Sequence, residues 1–211
     1  MAVVHLVRHG QVDNPSGVHY ERLPGFHLTE LGRQMAETVA TFLAPLPITA
    51  LRCSPLERAQ ESMAPIAARF PELAVLIDDR LIEAGSRFAG QVMGPSAKAA
   101  RLPKNWRHLY NPLRPSWGEA YRAIAERITA AILEIAEQVG EEGQAVAVSH
   151  QLPIWVARQR AVGRPLWHDP RRRQCSLASL TSFRVAAGSI VEIEYAEPAA
   201  DLHPSGQRVG F

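Results

Sequence analysis

Three segments far apart in the chain combine the residue types that handle phosphate. Arg8-His9-Gly10 stands near the start, Arg58 follows Ser54-Pro55-Leu56-Glu57, and Ser149-His150 comes two-thirds of the way along. Guanidinium groups present forked donors that match phosphate oxygens. Helix N-termini add backbone N–H groups for an anion. A neutral imidazole can act as a nucleophile and carry a transferred group. Such a set is built for phosphoryl chemistry, and because arginine supplies the positive charge it calls for no metal and no cofactor. The two cysteines, Cys53 and Cys175, form no CxxC pair and show no Cys/His ligand spacing.

The elements that must position these groups follow from periodicity. Residues 3–7 read as a buried strand, too short for a helix. Residues 28–43 have helical spacing, with Thr29 as the cap. Residues 48–52 read as a second strand. Ser54-x-x-Glu57 with Pro55 between them reads as a capping box, starting a helix that runs to about Arg69. Residues 74–77 form a third strand. Residues 117–139 make the clearest amphipathic helix, with Ile124, Ile128, Ile132 and Ile135 on its core side. A strand at 145–148 and a helix at 152–162 follow. Two last strands, 177–185 and 189–195, meet at Gly188, and the tail after Glu197 is polar. Ser149 is expected to cap the 152–162 helix. Strands alternating with helices predict an α/β fold, a three-layer α/β/α sandwich on a mostly parallel sheet. The three segments then fall at strand ends, where such folds gather reactive groups.

A chain of 211 residues fits one domain, 1–211. The stretch from about 86 to 116, rich in proline and basic residues, is a candidate lid inserted in it. With 23 basic and 21 acidic residues the net charge is +2, which calls for neither nucleic acid nor an anionic membrane as partner. No apolar run reaches the ~20 residues of a membrane span. The N-terminus does not read as a signal peptide. Reduced cysteines then suit a cytoplasmic protein. Nothing in the sequence bears on oligomeric state.

Val7-Arg8-His9-Gly10 resembles the signature of the histidine phosphatase superfamily, the phosphoglycerate mutase-like proteins. Ser54-Pro55-Leu56-Glu57-Arg58-Ala59 and Val148-Ser149-His150 resemble its second and third motifs. Pro115-Ser116-Trp117-Gly118-Glu119 looks like a variant of the segment before its long helix. Order and spacing match over about residues 3–185. The resemblance implies a phosphoglycerate mutase-like sandwich and a small phosphorylated substrate. It implies that His9 attacks phosphorus and becomes phosphohistidine. Arg8, Arg58 and His150 would hold the phosphoryl oxygens. Glu83, after the third strand, would be the general acid and then the base for water, which requires a raised pKa.

The chain also departs from the family pattern. The family's Thr and Asn positions after the nucleophile hold Val12 and Pro15, leaving Gln11 and Asn14 as candidate substrate contacts. The usual glycines after the second histidine are Gln151 and Leu152, so the Gln151 N–H is a further phosphate donor. His19, Tyr20, Arg22 and His27 could equally touch substrate or line a solvated loop. Trp106, Arg107, His108 and Arg114 could read an anionic leaving group or pack the lid. The basic run Arg171-Arg172-Arg173 reads first as a solvated face, with a second phosphate or an acidic partner as the alternatives. The expected activity is metal-independent hydrolysis of phosphomonoesters through phosphohistidine. The alternatives are phosphoglycerate mutase-type transfer or a non-catalytic phosphate-binding module.

Overall fold

The computed structural model describes residues 1–92 and 118–203. Six strands form one sheet: β1 (Ala2–Arg8), β2 (Ile48–Cys53), β3 (Val75–Ile77), β4 (Gln144–Ser149), β5 (Leu180–Ala186) and β6 (Ser189–Ala196). Their spatial order is β3-β2-β4-β1-β5-β6. The pairs β1–β4, β4–β2 and β2–β3 are parallel, whereas β5 runs antiparallel to both β1 and β6. Only β5 therefore opposes the common direction, and the mostly parallel sheet holds. Ala187 (φ 48°) and Gly188 (φ 69°) turn the β5–β6 hairpin, both in the left-handed region that a tight hairpin turn demands.

Among the described residues, four helices cover the sheet: α1 (Glu30–Leu43), α2 (Glu57–Ala67), α3 (Tyr121–Val139) and α4 (Gln151–Ala161). Strand alternation decides which face each one meets. Val7, Leu51, Val146 and Val148 point to one side, packed with Met35, Val39 and Leu43 of α1 and Met63 and Ile66 of α2. Val4, Leu6, Ala145, Ala147 and Phe183 point to the other, packed with Ile128, Ile132 and Ile135 of α3 and Ile154 of α4. The α3 isoleucines, Ile124 included, are fully buried, and each such burial contributes about 1.5–3 kcal/mol. The result is the three-layer α/β/α sandwich.

Several local expectations are corrected. The Ser54–Glu57 capping box does not form. Helix α2 begins at Glu57 with Leu56 as its uncapped N-terminal residue, because the Ser54 hydroxyl is engaged by His150 at 2.7 Å. Ser149 does not cap α4; its hydroxyl donates to the Leu81 carbonyl at 2.7 Å. Helix α3 starts at Tyr121, four residues after the expected start, since Gly118 bridges to Ser86 and the Glu119 N–H donates to Gly85 O. Strand β5 starts at Leu180, because residues 176–179 turn through Ala178 at φ 52°. Thr29 caps α1 as expected, accepting from Gly32 N–H at 2.9 Å. Of the candidate lid, residues 86–92 pack back on the loop after β1 through a Val18–Val92 bridge and the His19 N–H to Gln91 O bond. Residues 93–116 lie outside the described residues, and with them Trp106, Arg107, His108 and Arg114. No helix among the described residues is long and apolar enough to cross a membrane.

The adjacent parallel strands β2, β4 and β1 end at one edge. The chain leaves β1 for α1 on one face and leaves β4 for α4 on the other. Between these two departures a crevice opens, the usual place for ligands in such sheets. The β1–α1 turn is tight there. A side chain on Gly10 would meet the Gly32 carbonyl at 2.4 Å, and one on Gly32 would meet the Gln11 carbonyl at 2.1 Å. Backbone packs on backbone, so neither position can yield. Gly32→Ala is expected to destabilise the fold by about 1–3 kcal/mol, read as a lowered midpoint of chemical unfolding.

Candidate active site

His9 follows the last residue of β1, pinned to both neighbouring strand ends. Its N–H donates to Ser149 O at 3.3 Å, and its carbonyl accepts from Ala178 N–H at 3.3 Å. Its Nδ1 bonds the Gly10 carbonyl at 2.8 Å. A carbonyl only accepts, so Nδ1 carries the proton and Nε2 keeps its lone pair. The ring is buried, at 2% exposure. Burial, then the charges of Arg58 and Arg8, hold its pKa well below the ordinary histidine value, so the imidazole is neutral at neutral pH.

Ser62 ties this turn to α2. Gly10 N–H donates to Ser62 Oγ at 3.1 Å, and Ser62 donates to the Arg58 carbonyl at 2.8 Å. Arg58 is thereby set beside His9 and is fully buried. Its Nη2 donates to Glu21 O and its guanidinium lies 4.8 Å from the centre of the Tyr20 ring. Its Nε and Nη1 have no hydrogen-bond partner among the described residues.

His150 follows β4, its ring centre 5.2 Å from that of His9. Its Nε2 bonds Ser54, whereas Nδ1 is buried with no hydrogen-bond partner among the described residues. Burial, then His9, Arg58 and Arg8, lower its pKa as well. Arg8, also buried, donates through Nη1 to Cys175 O at 2.7 Å. Gln151, first residue of α4, contacts the same carbonyl at 3.5 Å. Burial pushes the thiols of Cys53 and Cys175 up to about 12 and about 11, so neither is a thiolate. Both are free.

Glu83 enters from the segment after β3. Burial raises its pKa, against the Ala84 N–H and the charges of Arg58, Arg173 and Arg8. Its backbone is gripped on the far side. Arg22 Nε donates to Glu83 O at 2.6 Å, and Arg22 also pairs with Glu119 at 2.6 Å. Arg127 pairs with Glu119 at 3.0 Å and reaches Glu83 O at 3.4 Å. Ser149, through Leu81 O, ties the start of the same segment to the end of β4.

The structure thus brings Arg8, His9, Arg58, Glu83, His150 and Gln151 together. It does not bring Gln11 or Asn14 with them. Gln11 accepts from Thr29 at the α1 cap (2.8 Å), and Asn14 bonds Val18 through both amide atoms (2.9 and 3.0 Å). His27 pairs with Glu61, and His19 pairs with Glu21. Two residues carry more than sequence reasoning gave them. Tyr20 covers Arg58, and Arg173 turns inward to Gln151 at 3.2 Å. The break between Asp169-Pro170 and the third arginine of the run was the one available signal for the latter.

Residues 4–197 match the histidine phosphatase superfamily (branch 1), and the chain belongs to that family. Uncharacterized protein Rv0525 of Mycobacterium tuberculosis is 50% identical over 197 residues, covering 93% of this chain and 96% of the relative. An Escherichia coli protein named "Probable phosphoglycerate mutase GpmB" is 29% identical over 206 residues, covering 91% and 92%. Among solved structures, mycobacterial glucosyl-3-phosphoglycerate phosphatase Rv2419c, in complex with VO3, matches with TM-score 0.75 and 22% identity, covering 92% and 98%.

The raised pKa of Glu83 has a stability consequence. The folded protein keeps a proton that the unfolded chain releases, so this group favours folding least once pH has risen through its folded pKa. Glu83→Gln, a mimic of the protonated form, is expected to raise the thermal midpoint at about pH 7.5, with the gain vanishing near about pH 4.

Proposed function

We propose that the protein is a metal-independent phosphomonoesterase working through a phosphohistidine on His9. The observation that carries this reading is a buried, neutral imidazole with its Nε2 lone pair free, set beside two guanidiniums and a second neutral histidine. His9 Nε2 attacks phosphorus. The bond from phosphorus to the ester oxygen breaks, and Glu83 gives that oxygen its proton. Water then attacks the phosphohistidine, Glu83 takes the water proton, and His9 leaves with its electron pair restored. Arg8 and Arg58 meet the phosphoryl charge. An anion beside His150 Nδ1 selects the tautomer with the proton there, leaving the Ser54 hydroxyl to donate to Nε2. Raised Glu83 and lowered His9 pKa values fit this division of labour, acid and nucleophile both being neutral before attack. The relative named as a phosphoglycerate mutase keeps phosphoryl transfer to a second hydroxyl as the competing outcome. Unpaired cysteines fit a reducing, cytoplasmic setting.

Purified protein is expected to release phosphate from a panel of phosphomonoesters at a rate that chelators leave unchanged. His9→Ala should remove at least about 10⁴-fold of turnover while keeping its unfolding midpoint. Interconversion of 3- and 2-phosphoglycerate with a bisphosphate primer and without phosphate release would replace hydrolysis by the mutase reading. No turnover of any phosphoester would favour a binding module. Glu83→Gln should cost about 10²–10⁴-fold on alkyl phosphates. It should cost far less on p-nitrophenyl phosphate, whose leaving group needs no proton; equal losses would remove Glu83 from the acid role. For kcat/KM the protonated carboxyl sets the basic limb, so the rate falls as pH rises through the raised Glu83 pKa.

A further inference from the structure

Arg171, Arg172 and Arg173 form one basic run, but the chain sends them to different places. Arg171 and Arg172 are exposed, and Arg171 pairs with Asp169 at 2.7 Å across the single turn Pro170–Arg172. Past that turn Arg173 turns inward, to His168 and to Gln151 at the start of α4. Its Nε donates to His168 Nε2 at 2.8 Å and its Nη1 to Gln151 Oε1 at 3.2 Å. His168 Nδ1 bonds the Leu166 carbonyl at 2.6 Å, which fixes the proton on Nδ1 and leaves Nε2 as an acceptor. The rings of Tyr121 and Trp155 enclose this imidazole, with centres 5.4 and 5.8 Å away. Arg173 is thus held in place by neutral groups, His168, Gln151 and the Tyr121 hydroxyl.

Charge bookkeeping gives this arrangement a purpose. Arg22, Arg80 and Arg127 each pair with a carboxylate, but among the described residues none lies in ion-pair contact with Arg173. A phosphomonoester brings about two negative charges, which Arg8 and Arg58 already match. Arg173 is a third positive charge in the same pocket. It stands one side chain from Arg8, since Gln151, which accepts from Arg173, shares the Cys175 carbonyl with Arg8. Its charge, like those of Arg58 and Arg8, acts on the Glu83 carboxyl. With Arg8 and Arg58 meeting the phosphoryl group, Arg173, reaching in through Gln151, is left to face the rest of the substrate.

We propose that Arg173, held by His168 and Gln151, binds an anionic group on the leaving part of the substrate, so that the substrate is a phosphomonoester bearing a second negative group. This rests on the phosphomonoesterase reading above. A guanidinium fork fits a carboxylate or a second phosphate, and the choice of substrates separates the two.

The test compares kcat/KM for glycerol 3-phosphate, with a neutral leaving group, 3-phosphoglycerate, with a carboxylate, and fructose 1,6-bisphosphate, with a second phosphate. The wild type is expected to prefer one of the two anionic substrates. Arg173→Gln, which keeps polar contacts to its neighbours, should then lose about 30-fold or more on that substrate. It should lose less than about 3-fold on glycerol 3-phosphate and in inhibition by inorganic phosphate. His168→Ala removes the acceptor for Arg173 Nε while Gln151 still holds Nη1, and should raise KM for the anionic substrate with kcat kept. Equal losses on all three substrates would put Arg173 in the phosphoryl cradle and overturn the proposal, as would a wild type with no preference. If the wild type turns over neither these esters nor p-nitrophenyl phosphate, the phosphomonoesterase reading itself fails. Turnover of p-nitrophenyl phosphate without a preference for anionic leaving groups removes only the role of Arg173.

Discussion

The buried guanidinium of Arg58 is the constraint around which this structure is arranged. It lies at 0% exposure with two of its three nitrogens unbonded among the described residues. A charge withdrawn from water without a full set of partners is costly. The free protein bears that cost, and a bound anion relieves it. The sandwich provides the means. Two apolar layers, sealed by α1 and α2 on one face and α3 and α4 on the other, hold three parallel strand ends in register. Ser62 then links the Arg58 carbonyl to the turn after His9. Backbone strain gathers at the same rim, where Glu21 (φ 36°) accepts from Arg58 and Ala178 (φ 52°) donates to His9 O.

One environment also produces two opposite reagents. Burial disfavours charge on either kind of group. It therefore strips the proton from His9 and keeps one on Glu83. The arginines deepen the first effect and oppose the second, so the carboxyl depends on desolvation to stay protonated. Arg22, Glu119 and Arg127 contribute here by geometry. Arg22 and Arg127 donate to the main-chain carbonyl of Glu83, and Glu119 holds both arginines in place.

Much of this was legible in the sequence. The isoleucine stripe of α3 and the strand ends at Arg8, Cys53 and Ser149 follow from period and length. The grouping of His9, Arg58 and His150 follows from where parallel strands stop. What escaped was decided by competition between side chains. Ser54-x-x-Glu57 has the pattern of a capping box, yet His150, 96 residues away, takes the hydroxyl. Gln11 and Asn14 follow closely after His9 in the chain, but a helix cap and a loop closure claim their amides. Arg173 was hidden in a charge run whose direction is set by one short turn.

The central claim is that His9 carries the phosphoryl group during turnover. Rapid mixing with a radiolabelled phosphomonoester, followed by alkaline quench and peptide mapping, tests it directly. The account predicts a phosphoryl label that is stable in base and lost in acid, located on the peptide containing His9 and absent from His9→Ala. Turnover with no such label, or with the label on any other residue, would contradict it.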